Sequence, residues 1–126
     1  MSLYESGQMY LETIFVLSKE SKYVRAIDVG EHLGYSKPSV SRAMSILKKD
    51  GYVTVDADGY LSLTESGRAV AESMYCRHTV ISRLLTCLGV DEEIAAEDAC
   101  RIEHVISEES FAAMKAHLER MAPMQE

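Results

Sequence analysis

Residues 25–63 carry the pattern that most restricts the fold: a short apolar-periodic run, a break, a second such run, and two β-prone segments around a turn. Arg25-Ala-Ile-Asp-Val-Gly-Glu-His-Leu33 reads as a helix with Ile27, Val29 and Leu33 available for burial, and Gly34 fits its C-terminal end. Ser36 then caps a helix reaching Asp50, whose apolar stripe is Val40, Met44 and Leu47. Pro38 is tolerated in its first turn, and Gly51 closes it. Tyr52-Val-Thr-Val55 and Tyr60-Leu-Ser-Leu63 flank the turn-rich Asp56-Ala-Asp-Gly59, which predicts a hairpin. Helix, turn, helix and hairpin in this order describe a winged helix-turn-helix, whose second helix enters the major groove of DNA.

The rest of the 126-residue chain is helical in pattern. From Tyr4 to Ser18, Met9, Tyr10, Ile14 and Leu17 recur at three and four residues. Thr64 precedes a long helix to about Leu88 that Gly89 ends, and Gly67 near its start either allows close backbone packing or costs about 1 kcal/mol relative to Ala. Asp91 caps a helix running to about Ile106, and Ser107-Glu-Glu-Ser110 starts a last one that ends before Pro123.

Net charge is −7, yet its distribution separates two jobs. Residues 1–88 hold ten acidic and ten basic side chains, whereas residues 89–126 hold ten acidic and three basic, so the whole excess lies in the last third. Within the neutral part, residues 36–50 carry Lys37, Arg42, Lys48 and Lys49 against Asp50 alone, which places basic charge where phosphates would lie. Ser36, Ser39 and Ser41 offer hydroxyls and N–H groups to phosphate at the positive end of a helix. Pro38, Ser39 and Arg42 are the expected groove contacts, Arg42 suiting a guanine edge, while Arg25 and the acidic wing from Asp56 to Tyr60 are weaker candidates.

No apolar run approaches the roughly 20 residues that span a bilayer, and no basic segment leads into an apolar one at the N-terminus, so a cytoplasmic location without membrane attachment is expected. Cys76, Cys87 and Cys100 are odd in number and helically spaced, which argues for reduced thiols rather than a disulfide framework.

Cys100, Glu103 and His104 lie in the run Asp98-Ala-Cys-Arg-Ile-Glu-His104. On a helix, positions i, i+3 and i+4 share a face, so a thiol, a carboxylate and an imidazole would converge there. Two readings fit: half of a transition-metal site, or a polar helix face beside a buried Cys. His78 divides in the same way between a ligand and a packing histidine, while His32 and His117 read as surface residues.

The chain resembles the diphtheria toxin repressor family of iron- and manganese-dependent transcriptional regulators. The resemblance covers nearly its whole length. It rests on Gln8-Met-Tyr-Leu-Glu-Thr-Ile-Phe15, Lys37-Pro-Ser-Val-Ser41, Asp50-Gly-Tyr-Val53, Leu63-Thr-Glu-Ser-Gly-Arg68, Arg77-His78 and, above all, Asp98 to His104. It implies a mostly α architecture, with a winged helix-turn-helix DNA-binding domain over residues 1–63 and a helical metal-binding and dimerisation domain over residues 64–126. By position, the family's regulatory ligands fall on Met9, Cys100, Glu103 and His104. Glu12 and His78 match residues that manganese-type members use, with Glu103, for a second ion. Two ligands of the iron-type second site are replaced, by Ser82 and Ala96.

Manganese-type members carry carboxylates where this chain has Met9 and Cys100. Thioether and thiolate favour softer or borderline ions, so Fe²⁺ is the expected metal and Mn²⁺ the second choice, with Co²⁺, Ni²⁺ or Zn²⁺ as surrogates. The resemblance further implies a homodimer on palindromic double-stranded operator DNA, controlling metal-uptake genes, with no small organic ligand. Many members carry a further SH3-like domain, which is not expected in this chain. A winged-helix regulator switched by thiol oxidation at Cys76, Cys87 or Cys100, without metal, is the alternative of a different class. No nucleophile motif or phosphate loop points to an enzyme.

Overall fold

The computed structural model describes the backbone of residues 5–125 and side chains through residue 121; Tyr4, expected to open the first helix, lies outside the described residues. Six helices and one hairpin follow in order: α1 (Glu5–Glu20), α2 (Ala26–Leu33), α3 (Lys37–Lys49), β1 (Val53–Val55), β2 (Leu61–Leu63), α4 (Glu65–Cys87), α5 (Glu92–Ile102) and α6 (Glu108–Gln125). The chain divides into two compact units, one up to Ser73 and one from Met74 onward, and the division falls inside α4.

The first unit is the winged helix-turn-helix. Its core joins Leu11 and Ile14 of α1, Val29 of α2, Val40, Met44 and Leu47 of α3, Val53 and Leu61 of the hairpin and Ala71 of α4. The α3 stripe is buried as its 3.6-residue period predicts. Ile27 is not buried. It stays 48% exposed while Val29 is fully covered, because residues two apart on a helix point in nearly opposite directions and this short helix can turn only one face inward. Gly34, at φ 74°, takes the left-handed conformation that ends α2, its N–H and that of Tyr35 both donating to Gly30 O.

In the hairpin, Val53 pairs with Leu63, Thr54 with Ser62 and Val55 with Leu61, antiparallel. Asp56 holds the turn: its Oδ1 accepts from the N–H groups of Asp58 and Tyr60, each at 2.9 Å. The hairpin is stitched to the approach of α2 by the Leu61 N–H donating to Val24 O at 2.7 Å and by a bridge between Arg25 and Tyr60. At the start of α4 a Cβ on Gly67 would stand 2.0 Å from the Tyr52 carbonyl oxygen, so only glycine fits. The close approach, one of the two readings of Gly67, is there.

In the second unit Met74, Val80, Ile81, Ala95, Ala99 and Leu118 are buried. Asp91 caps α5 by accepting from the Glu93 N–H at 3.1 Å, and Ser107 accepts from the Ser110 N–H at 3.1 Å at the start of α6. Two helix ends differ from the sequence reading. α5 stops at Ile102 rather than near Ile106, and α6 continues to Gln125 rather than ending before Pro123. Pro123 lacks the N–H that a helical turn uses, and the helical trace nevertheless runs past it to Gln125. Among the described residues no helix is long and apolar enough to cross a membrane.

Candidate metal centre

The early end of α5 shapes this site. Glu103 keeps helical dihedrals (φ −57°, ψ −29°) and donates its N–H to Ala99 O, but the next residues form a turn closed by the Val105 and Ile106 N–H groups on Ile102 O. Neighbouring residues on a helix diverge by about 100°. The turn removes that constraint and sets the His104 Nε2 3.3 Å from the Glu103 Oε1. On the other side His78 of α4 places its Nδ1 3.3 Å from the Glu103 Oε2.

The Glu103 carboxylate thus lies between two imidazoles. Its side chain is fully buried, as is that of His104, while His78 keeps 31% side-chain exposure. Hydrogen bonding to Glu103 raises the His78 pKa above its ordinary 6.5, partial burial works against the rise, and the carboxylate charge adds to it. A buried carboxylate with two imidazole nitrogens is a donor set of the type that binds first-row divalent cations. The residues of this unit therefore fit a metal.

Arg77, one position before His78, holds the segment that follows α5. Arg77 as a whole is 7% exposed. Its guanidinium Nη1 donates to the carbonyl of Glu103, at the end of α5, at 3.1 Å and to that of Ile106, in the segment after it, at 2.8 Å. Its Nη2 reaches Glu108 Oε1 at 3.3 Å, and the group lies 5.4 Å from the centroid of Phe111. One arginine thus fixes the backbone of the residue whose side chain His78 touches. Arg77 appeared in the sequence only as part of a matching dipeptide. The one available signal was a lone basic residue beside a candidate ligand.

The other expected ligands fall as follows. Cys100 lies on α5, three residues before Glu103, and is half-buried; Cys76, Cys87 and Cys100 are all thiols. Met9 and Glu12 belong to the first unit, both half-buried on α1, and Met9 Sδ accepts from the Tyr35 hydroxyl at 3.4 Å. Ser82 and Ala96 are half-buried, and His32 and His117 are exposed.

The expected DNA contacts are all exposed in the first unit. Ser36 caps α3, its Oγ accepting from the Ser39 N–H at 3.4 Å and donating to the Ser39 Oγ at 2.9 Å. Lys37, Pro38, Ser39, Ser41 and Arg42 are all exposed on the first turns of α3, flanking buried Val40. Arg25 is exposed at the N-cap of α2, with its guanidinium 4.6 Å from the centroid of the Tyr60 ring. An acidic wing thereby carries a cation on its aromatic residue.

Two family descriptions match this chain: "Iron dependent repressor, N-terminal DNA binding domain" over residues 2–61 and "Iron dependent repressor, metal binding and dimerisation domain" over residues 64–123. The iron-dependent repressor IdeR of Mycobacterium tuberculosis is 38% identical over 108 residues, covering 85% of this chain and 47% of that protein. The diphtheria toxin repressor of Corynebacterium diphtheriae is 36% identical over 108 residues, covering 85% and 48%. Among solved structures, a manganese-dependent transcriptional repressor in complex with manganese has a TM-score of 0.83 at 28% identity, over 90% of this chain and 52% of the other. IdeR of T. acidophilum has a TM-score of 0.78 at 26% identity, over 94% and 55%. The chain spans about half the length of the curated relatives it matches.

Proposed function

The chain belongs to the iron-dependent repressor family, and on that premise we propose that it is a metal-activated repressor that binds double-stranded operator DNA as a homodimer in the cytoplasm. Residues 1–63 read the DNA, and residues 64–126 bind the metal and dimerise. The observation that carries this reading is the buried Glu103 carboxylate set 3.3 Å from an imidazole nitrogen on either side.

The proposed ligands are Met9, Cys100, Glu103 and His104, with Glu12 and His78 joining Glu103 at a second position. Sulfur donors at two of these positions favour Fe²⁺ over Mn²⁺, and Co²⁺, Ni²⁺ or Zn²⁺ serve as surrogates. When bound, the cation supplies positive charge against the Glu103 carboxylate and a common partner for donors far apart in sequence. Met9 and Glu12 on α1 hold that partner together with the donors around Glu103 best in the DNA-competent arrangement. Metal and operator binding then strengthen each other by the same factor.

On the DNA side Ser36, Lys37, Ser39 and Ser41 hold phosphate, Pro38 and Arg42 enter the groove, and Arg25 contributes a cation beside the wing. Two copies are needed to read two half-sites.

The test is retention of duplex genomic fragments by the reduced protein with Fe²⁺, with Mn²⁺ or with chelator. Sequence-specific retention is expected only with cation, and at lower free Fe²⁺ than Mn²⁺. DNA affinity indifferent to metal but lost on thiol oxidation would sink this reading and favour a cysteine switch.

A further inference from the structure

Met9 has a neighbour that ligand chemistry does not require. Within the first unit the Tyr35 hydroxyl donates to the Met9 Sδ at 3.4 Å, joining residues 26 apart in sequence. Tyr35 is itself held by its surroundings. Its backbone N–H donates to Gly30 O at 3.0 Å in the turn that ends α2. Its ring meets that of Tyr10 edge-on, with centroids 5.9 Å apart and planes at 70°. The next residue, Ser36, is the N-cap of α3. Met9 and Tyr35 also line one open surface depression with Glu5 and Ser6, so the sulfur can be approached.

A methionine side chain has three rotatable bonds, and ordering them opposes coordination. Its sulfur has two lone pairs, and a hydrogen bond to one leaves the other for a cation. We propose that Tyr35 is a positioning residue for Met9: its hydroxyl orders the thioether with one lone pair presented to the metal, and ties that ligand to the turn from which α3 starts. The inference rests on the assignment of Met9 as a ligand. It gives the two-residue link from Tyr35 to Ser36 a role in passing metal occupancy to the DNA-reading helix.

The experiment is a double-mutant cycle on the full chain with Met9→Leu, Tyr35→Phe and the pair, using Co²⁺ as the probe metal in calorimetric titrations without DNA. Phenylalanine keeps the ring against Tyr10 and removes only the donor. Tyr35→Phe is expected to weaken Co²⁺ binding about three- to tenfold, the range set by side-chain ordering. It should leave the melting of the metal-free protein unchanged and add nothing in the Met9→Leu background. If Met9→Leu weakens binding while Tyr35→Phe does not, or if Tyr35→Phe acts equally with Leu at position 9, the positioning role is overturned and the ligand assignment survives. If Met9→Leu leaves Co²⁺ affinity intact, the assignment fails and takes this inference with it.

Discussion

Arg77 decides more of the local geometry than any proposed ligand. Removing its guanidinium strips donors from the carbonyls of Glu103 and Ile106 and from Glu108 at once. Arg77→Met is expected to cost about 2–4 kcal/mol in denaturant unfolding of the metal-free protein and to weaken metal binding, because the turn carrying Glu103 and His104 loses its anchor. Its role was not legible in the sequence, where an arginine on an amphipathic helix reads as a solvated charge. What marks it is its inward course, which only the fold reveals. His78 gives a second prediction at this scale. Its pKa is raised in the folded protein, so its contribution to metal-free stability is complete below about 6.5 and is lost as pH rises through the higher folded value. A ligating imidazole must be neutral, so metal affinity should move the other way and strengthen across the same interval. Calorimetry at a series of pH values checks both signs. A metal affinity that falls with rising pH there would exclude His78 as a ligand.

Elements set by one dominant local signal were readable from sequence, and those bounded by a partner were not. Val40, Met44 and Leu47 share a stripe because a helix repeats every 3.6 residues, and Ser36 caps because its hydroxyl reaches the Ser39 N–H. The end of α5 has no such mark. Its carbonyls are held by a side chain from α4, and the corrected end matters because Glu103 and His104 meet across a turn rather than along a helix face. Ile27 shows the same limit, since an apolar residue on a short helix has a periodicity too brief to fix which face is covered. Gly67 was legible as a close approach but not as to which backbone it meets. Gly67→Ala sets the gain in helix propensity, about 1 kcal/mol, against a Cβ 2.0 Å from Tyr52 O. The expected net loss is about 1–3 kcal/mol, seen as a lower denaturation midpoint with an unchanged slope.

At the scale of the whole molecule the uneven charge was the clearest early sign of two jobs, with a basic α3 inside a neutral part and an acid-rich final third. If donors from both units hold one cation, metal stabilises the folded chain by mass action. At a free concentration one hundred times the dissociation constant this amounts to about 2.7 kcal/mol, or roughly 8–15 °C in melting temperature for a chain of this size. Thermal scans with metal, then with excess chelator, check it, and an unmoved transition would count against binding to the native state. The division inside α4 has a separate consequence, for digestion. Proteases cut extended, accessible chain, whereas the join between these units is continuous helix. Brief treatment of the native protein with a protease of broad specificity, such as subtilisin, should therefore yield no stable fragments ending near Ser73. Cleavage products should start instead from the wing or from the turns that bracket α5.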